Sequence, residues 1–179
     1  GCCDDGPSGM RLDSGMKAFS LPNGTLLACT FNTQLNEELY AFTAVEMIKN
    51  RVDILLGPGM NIHRHPLNGR NFEYFSEDPY LASELAAAEI QGVQAHHIGC
   101  CIKHFLANNQ EQFRMSISSE VDERTLREIY LGAFENAVKK GKPWSVMSSY
   151  NRINGEYVAD SRKFLTEILR EESVSYTHL

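Results

Sequence analysis

Three short apolar runs recur at nearly even intervals, and that rhythm limits the folds open to this chain. Val52-Asp53-Ile54-Leu55-Leu56, Cys100-Cys101-Ile102-Lys103-His104-Phe105 and Trp144-Ser145-Val146-Met147-Ser148-Ser149-Tyr150 each carry β-branched or aromatic residues and read as strands. Their centres lie about 48 and 45 residues apart. Helical patterns fill the intervals. Residues 36–50 open on Glu37 and Glu38, which suit the positive end of a helix dipole, and place Leu39, Phe42, Val45 and Ile48 on one stripe expected to be buried. Residues 78–96 are rich in Ala, a strong helix former. Residues 122–140 repeat Leu126, Ile129, Tyr130, Ala133, Phe134, Ala137 and Val138 at helical spacing, with Asp122 as cap and Gly141 as the left-handed stop. A last helix is expected near residues 160–171.

Strand then helix, repeated, argues for a parallel sheet with helices outside it. The long segments follow the strands, at residues 57–77 and 106–121. In a (β/α)8 barrel that end of the strands carries the active site. A doubly wound sheet alternates in the same way, but neither a G-x-G-x-x-G nor a G-x-x-x-x-G-K-[ST] stretch occurs, which disfavours a nucleotide site. No Pro/Gly/Ser linker divides the chain, so its 179 residues read as one domain or a piece of a larger one.

Composition removes other classes. With 42% apolar and 22% charged residues the chain is neither disordered nor fibrous. No stretch approaches the roughly 18 apolar residues of a membrane span. A formal charge of −6 disfavours nucleic acid as a partner. The five cysteines, Cys2, Cys3, Cys29, Cys100 and Cys101, form a poor disulfide framework and are expected to be small buried hydrophobes in a reducing cytoplasm. No signal peptide is visible, although Gly1 is not a start methionine.

Polar groups gather at the expected strand ends. Asp5 stands beside a Gly-Pro turn, Arg70 follows the first clear strand, Lys103 and His104 end the second, and Met147 and Tyr150 end the third. Strand ends converge on one mouth, and such a mixture of ionic, amide and aromatic groups suits a sugar, which offers hydroxyls and apolar C–H faces. Each residue has a plainer reading: a turn carboxylate for Asp5, a loop pair with Glu73 for Arg70, a core aromatic for Tyr150, and a surface pair for Glu111 with Arg114. Lys103 is the hardest to explain away, because a lysine on an apolar strand is rarely buried without a partner. His63 and His65, with Asp5, permit a metal-dependent hydrolase, but no third ligand beside the histidines stands out.

At these residues the sequence resembles the N-terminal barrel of glycoside hydrolase family 3, with β-glucosidases as its nearest members. The resemblance rests on Asp5-Gly6-Pro7-Ser8-Gly9-Met10-Arg11, Leu56-Gly57-Pro58-Gly59-Met60-Asn61-Ile62, Gly69-Arg70-Asn71-Phe72-Glu73, Lys103-His104-Phe105, Val121-Asp122-Glu123-Arg124 and Met147-Ser148-Ser149-Tyr150-Asn151. It implies roughly the first half of a TIM-type barrel over residues 1–172 and retaining hydrolysis of terminal β-D-glucosyl residues, without a cofactor or metal. Asp5, Arg70, Lys103, His104, Tyr150 and Met147 are then expected to bind the β-glucoside or oligosaccharide substrate, with Glu111 further out. The run Lys103-His104-Phe105-Leu106-Ala107-Asn108-Asn109 differs from the Lys-His-Phe-Pro-Gly-His-Gly type loop of β-N-acetylglucosaminidases and favours the β-glucosidase or β-xylosidase branch.

The resemblance also implies what is missing. The nucleophilic aspartate of such proteins lies in a Ser-Asp-Trp type segment beyond the helix ending near Glu172, and the acid/base residue lies later still. No aspartate follows Asp160 here. The expectation is a truncated chain whose residues 173–179 are an unrelated tail, inactive by itself or at most a sugar-binding piece.

Overall fold

The computed structural model describes residues 1–12, 15 and 17–173; the tail expected to be foreign, apart from Ser173, lies outside them. Four parallel strands form the sheet: β1 (Cys3–Asp5), β2 (Ile54–Leu56), β3 (Gly99–Phe105) and, after the two-residue β4 (Ser118–Ser119), β5 (Ser145–Ser148). Their order is β1-β2-β3-β5. Helices α1 (Gly24–Cys29) and α2 (Thr33–Lys49) return the chain from β1 to β2, and α3 (Pro79–Gln94) returns it from β2 to β3. A helical rod of α4 (Glu123–Thr125), a wide π-type stretch (Leu126–Leu131) and α5 (Gly132–Gly141) leads to β5. A second wide helix (Lys163–Glu172) follows. These are four successive strand–helix units, half of an eight-stranded β/α barrel. Two further short strands, β6 (Arg152–Ile153) and β7 (Glu156–Tyr157), join β4 in a small sheet beside the long loops.

The helix ends follow from capping chemistry. Asn32 Oδ1 accepts the Leu35 amide at 3.0 Å and starts α2 earlier than Glu37 and Glu38 suggested. Asp78 Oδ1 accepts the amides of Tyr80 and Leu81, with Pro79 in the first turn of α3. Asp122 caps its helix as expected, taking the Thr125 amide at 3.0 Å. Gly141 is not the left-handed stop; Lys142 takes that conformation, with φ 52°. The glycine serves packing instead, since a Cβ there would stand 2.7 Å from Ile90 Cδ1 of α3.

The inner face of α2 is not the expected one. Asn36, Tyr40, Thr43, Ala44 and Met47 are buried, whereas Phe42 and Ile48 are exposed. The stripe is displaced by one residue, roughly 100° around the helix. Close approach decides it. Gly92 of α3 lies so near α2 that a Cβ would meet the Glu37 carbonyl oxygen at 2.3 Å, and Asn36 Nδ2 donates to the Leu85 carbonyl at 2.9 Å. Asn36 fits that seam by its hydrogen bond, and the inward face is completed by Tyr40, Thr43, Ala44 and Met47. On the other side of α3, α5 packs its Phe134 edge-on against Phe105 of β3, with ring centroids 5.3 Å apart.

Only Cys100 and Cys101 are buried; Cys2, Cys3 and Cys29 are exposed thiols, against expectation, because they sit on a marginal strand and a short surface helix. Among the described residues no helix is long and apolar enough to cross a membrane.

Both outer strands have one open edge: β1 pairs only with β2, and β5 only with β3, within the sheet. Open edges template association, and exposed Phe19, Phe31 and Phe42 add apolar surface to the isolated chain. The isolated 179-residue chain is therefore expected to self-associate, and sedimentation velocity on the refolded protein checks this; a monomer with a sharp two-state melt would contradict it.

Candidate functional site

The carboxyl ends of the four parallel strands open into a cleft of about 810 Å³. Asp5, Arg70, Lys103, His104, Met147 and Tyr150, the six residues singled out from the sequence, all line it. Their convergence has a clear backbone origin. β1 ends on Asp5, and β3 delivers Lys103 two strands away, with Met147 of β5 as its register partner. Neighbours on a regular strand face opposite sides of a sheet. Between Lys103 and Phe105 the register shifts, an irregularity that re-aims side chains, and both Lys103 and His104 reach the cleft. The loop after β2 is stitched to the same place: Lys103 N donates to the Pro58 carbonyl and Met60 N to the Lys103 carbonyl, each at 2.9 Å. That loop carries Arg70 and a short turn over Asn71–Glu73, pinned by Thr25 Oγ1 donating to the Asn71 carbonyl.

A chain of alternating charges spans the cleft. Lys103, with a side chain only 3% exposed, donates from Nζ to Asp5 Oδ1 at 2.6 Å and lies 3.6 Å from Glu73 Oε2. Arg70 Nε donates to Glu73 Oε1, and Arg70 Nη1 lies 4.0 Å from Glu111 Oε1. Arg114 Nη1 donates to Glu111 Oε2 at 2.9 Å and its guanidinium stacks over Tyr150, 5.3 Å from the ring centre. Asp5, Glu73 and Glu111 thus face Lys103, Arg70 and Arg114 along this chain, and Arg11 adds a further cation to the cleft lining. Asp5 is the open end, its side chain 48% exposed to the cleft.

His104 is held without charge. Its amide donates to Asn61 Oδ1 at 2.8 Å, Asn61 Nδ2 donates back to its carbonyl at 2.9 Å, and its Nδ1 lies 3.1 Å from the Tyr74 hydroxyl. Burial, reinforced by the nearby Arg70, Lys103 and Arg114 cations, pushes its pKa down to about 2. Burial also raises the Tyr74 phenol well above its ordinary range, so this hydroxyl keeps its proton. Asn108 Nδ2 bridges the Tyr74 hydroxyl at 3.3 Å and Glu111 Oε1 at 3.1 Å.

Sequence reasoning undervalued four of these groups. Glu73, expected only as a loop partner for Arg70, is the buried link between two cations. Arg114 reaches the cleft mouth and holds Glu111 there. Asn61 and Tyr74 fix His104, and nothing in their sequence neighbourhood marks them; the three-residue step from Arg70 to Glu73 was the one readable signal. His63 and His65 are engaged elsewhere: His63 Nε2 lies 3.0 Å from the Asn71 carbonyl, and His65 Nδ1 accepts the Leu67 amide. Among the described residues no group of three His, Cys, Asp or Glu side chains is placed to hold a metal ion.

Half a β/α barrel with an ionic cleft at the strand carboxyl ends has the layout of a barrel enzyme's active-site face. The chain belongs to glycoside hydrolase family 3, residues 8–174 matching the profile described as the glycosyl hydrolase family 3 N terminal domain. It is 60% identical over 172 residues to a beta-glucosidase of Ruminococcus albus, covering 96% of this chain and 18% of that protein. It is 52% identical to thermostable beta-glucosidase B of Acetivibrio thermocellus, covering 94% of this chain and 24% of that protein. The solved structure of beta-glucosidase 3B from Thermotoga neapolitana in complex with glucose superposes with a TM-score of 0.95 at 48% identity, over 98% of this chain and 26% of that one. The chain therefore spans about a fifth to a quarter of the length of these relatives.

The depressed His104 pKa carries a stability consequence. Above about pH 6.5 the ring is neutral in both folded and unfolded states and contributes no pH dependence. As pH falls from there toward 2, the unfolded chain takes up a proton that the folded site refuses, so folding weakens, by at most about 1.4 kcal/mol per pH unit. Thermal midpoints measured from pH 7 down to pH 4 should fall less steeply for His104→Asn than for the parent protein; equal slopes would contradict the assignment.

Proposed function

We propose that the protein carrying this chain hydrolyses terminal, non-reducing β-D-glucosyl residues with retention of configuration, and that this chain supplies much of the subsite for the terminal sugar. The observation that carries the reading is the pre-formed chain Asp5–Lys103–Glu73–Arg70, rich in hydrogen-bonding groups yet free of net charge. A glucosyl ring is neutral and crowded with hydroxyls. A cleft for it needs strong donors and acceptors already oriented. The exposed Asp5 carboxylate accepts from sugar hydroxyls, while Lys103 and Arg70 donate. His104, with Nδ1 occupied by Tyr74 and Asn61, offers Nε2. Met147 and Tyr150 supply the apolar wall for the C–H face. The naming of the R. albus and A. thermocellus relatives as beta-glucosidases, and the glucose in the T. neapolitana complex, support this reading.

Retaining hydrolysis takes two carboxyl groups, one attacking the anomeric carbon and one serving as acid and then base. Asp5, Glu73 and Glu111 are each held by a cation. We assign them to binding and orientation, and place the nucleophile and acid/base outside these 179 residues. On this reading the isolated chain binds sugar and does not turn it over. A β-xyloside is the competing substrate, since a pentose makes the same contacts except at the exocyclic hydroxymethyl group. The exposed thiols Cys2, Cys3 and Cys29 suit a reducing compartment, and we propose a cytoplasmic location.

Two measurements test the assignment. The full-length protein should hydrolyse a chromogenic aryl β-D-glucoside with β-glucose as the first product by NMR, faster than the corresponding xyloside, whereas this chain alone should show no turnover. Lys103→Met removes the cation that Asp5 and Glu73 share and leaves Asp5 without its partner, and should raise KM at least a hundredfold. Wild-type affinity in that variant would refute the role given to Lys103.

A further inference from the structure

Beneath the cleft lies a buried acid for which neither the ion-pair chain nor the sugar contacts have a use. Glu89 sits in the Ala-rich middle of α3, completely buried, and no group donates a hydrogen bond to either carboxyl oxygen. The groups facing it come from every element packed there: the Tyr40 hydroxyl from α2, and Cys100 and Lys103 from β3. The loop after β2 leaves room for it at Gly57, where a Cβ would stand 3.3 Å from Glu89 Oε1. Lys103 is committed on its other side to Asp5 and Glu73, so no cation bonds the Glu89 carboxyl.

Tyr40 points from this buried group to the edge of the site. It is also completely buried, and its hydroxyl donates to the Pro7 carbonyl at 2.5 Å. Pro7 lies in the turn that follows Asp5, where the Gly9 amide donates to the Gly6 carbonyl and the Arg11 amide to the Asp5 carbonyl. With its proton given to Pro7, the Tyr40 oxygen keeps lone pairs that only a donor can satisfy. An ionised carboxylate beside it would offer more acceptors and no donor, at a desolvation cost of several kcal/mol. A protonated acid supplies what is missing.

We propose that Glu89 is a positioning residue of the sugar site, acting through Tyr40 on the turn that carries Asp5. The proton order runs one way: Glu89 O–H to the Tyr40 oxygen, Tyr40 O–H to the Pro7 carbonyl. Burial raises Glu89, Tyr40 and Cys100 well above their ordinary ranges, which favours the protonated form of each. The consequence for function is that Asp5, the most exposed member of the ion-pair chain, is fixed from behind by a neutral donor network while Lys103 fixes it from the front. The proposal rests on the sugar-site reading above.

The test uses the full-length protein carrying this segment, with D-glucose as the probe by calorimetry and an aryl β-D-glucoside for steady-state kinetics. Glu89→Gln keeps a donor toward Tyr40 and should bind glucose within about twofold of the parent. Glu89→Met keeps the volume, removes the donor, and should weaken glucose about tenfold, the effect of one lost hydrogen bond of about 1.4 kcal/mol. Tyr40→Phe should weaken it by a similar factor, and the double variant no more than either alone, because both break the same chain. Should Glu89→Met not fold, Tyr40→Phe against Glu89→Gln carries the comparison. Glu89→Gln as damaging as Glu89→Met would overturn the neutral-donor assignment, as would parent-like glucose binding in Glu89→Met or Tyr40→Phe. A parent protein that does not bind glucose at all would overturn the sugar site and this proposal together.

Discussion

The Lys103 ammonium organises this molecule's functional face. It sits at the end of a strand buried along its whole length, where an unpaired cation would cost several kcal/mol. Two carboxylates remove that cost, and they come from far apart in the chain: Asp5 from the end of β1 and Glu73 from the loop after β2. The ion pairs therefore do two things at once. They make burial of Lys103 tolerable, and they draw three strand-end segments to one point. Everything else in the cleft is built outward from them, through Glu73 to Arg70 and on to Glu111 and Arg114.

Electrical balance follows from the same arrangement. Three carboxylates and three cations alternate, and the one histidine among them is kept neutral by burial and by its cationic neighbours. The paired charges leave strong, oriented hydrogen-bonding groups along the cleft, which suit a polyhydroxy ligand. The supporting contacts are mostly uncharged: Asn61 and Tyr74 around His104, Asn108 between Tyr74 and Glu111, and Tyr40 behind the Asp5 turn. Rigid neutral groups hold the mobile charged ones in place.

The fold shows the same division between what packs and what is displayed. α3 lies between α2 and α5 because Gly92 admits the α2 backbone and Gly141 of α5 admits Ile90. These two close approaches set the spacing of the helical layer. The open edges of β1 and β5 are the parts of a half barrel that a closed one would pair.

The amino-acid sequence by itself determined the alternation of strands and helices, the parallel sheet, the capped helix start at Asp122, and the polar residues at strand ends. These are local properties: period, cap chemistry and breaker residues are legible within a few positions. The resemblance carried by the ordered motifs then pointed to the family and to six cleft residues. Only the tertiary structure decided which side of α2 faces inward, because the close approach of α3 at Gly92 and the Asn36 hydrogen bond to Leu85 fix how α2 is rotated. It alone decided that Glu73 is a buried link between two cations, that Lys103 and His104 both face the cleft despite being neighbours on a strand, and that Glu89 lies beneath the site. Each of those depends on groups many positions apart being desolvated together, and desolvation is a property of the packed molecule that no stretch of sequence contains.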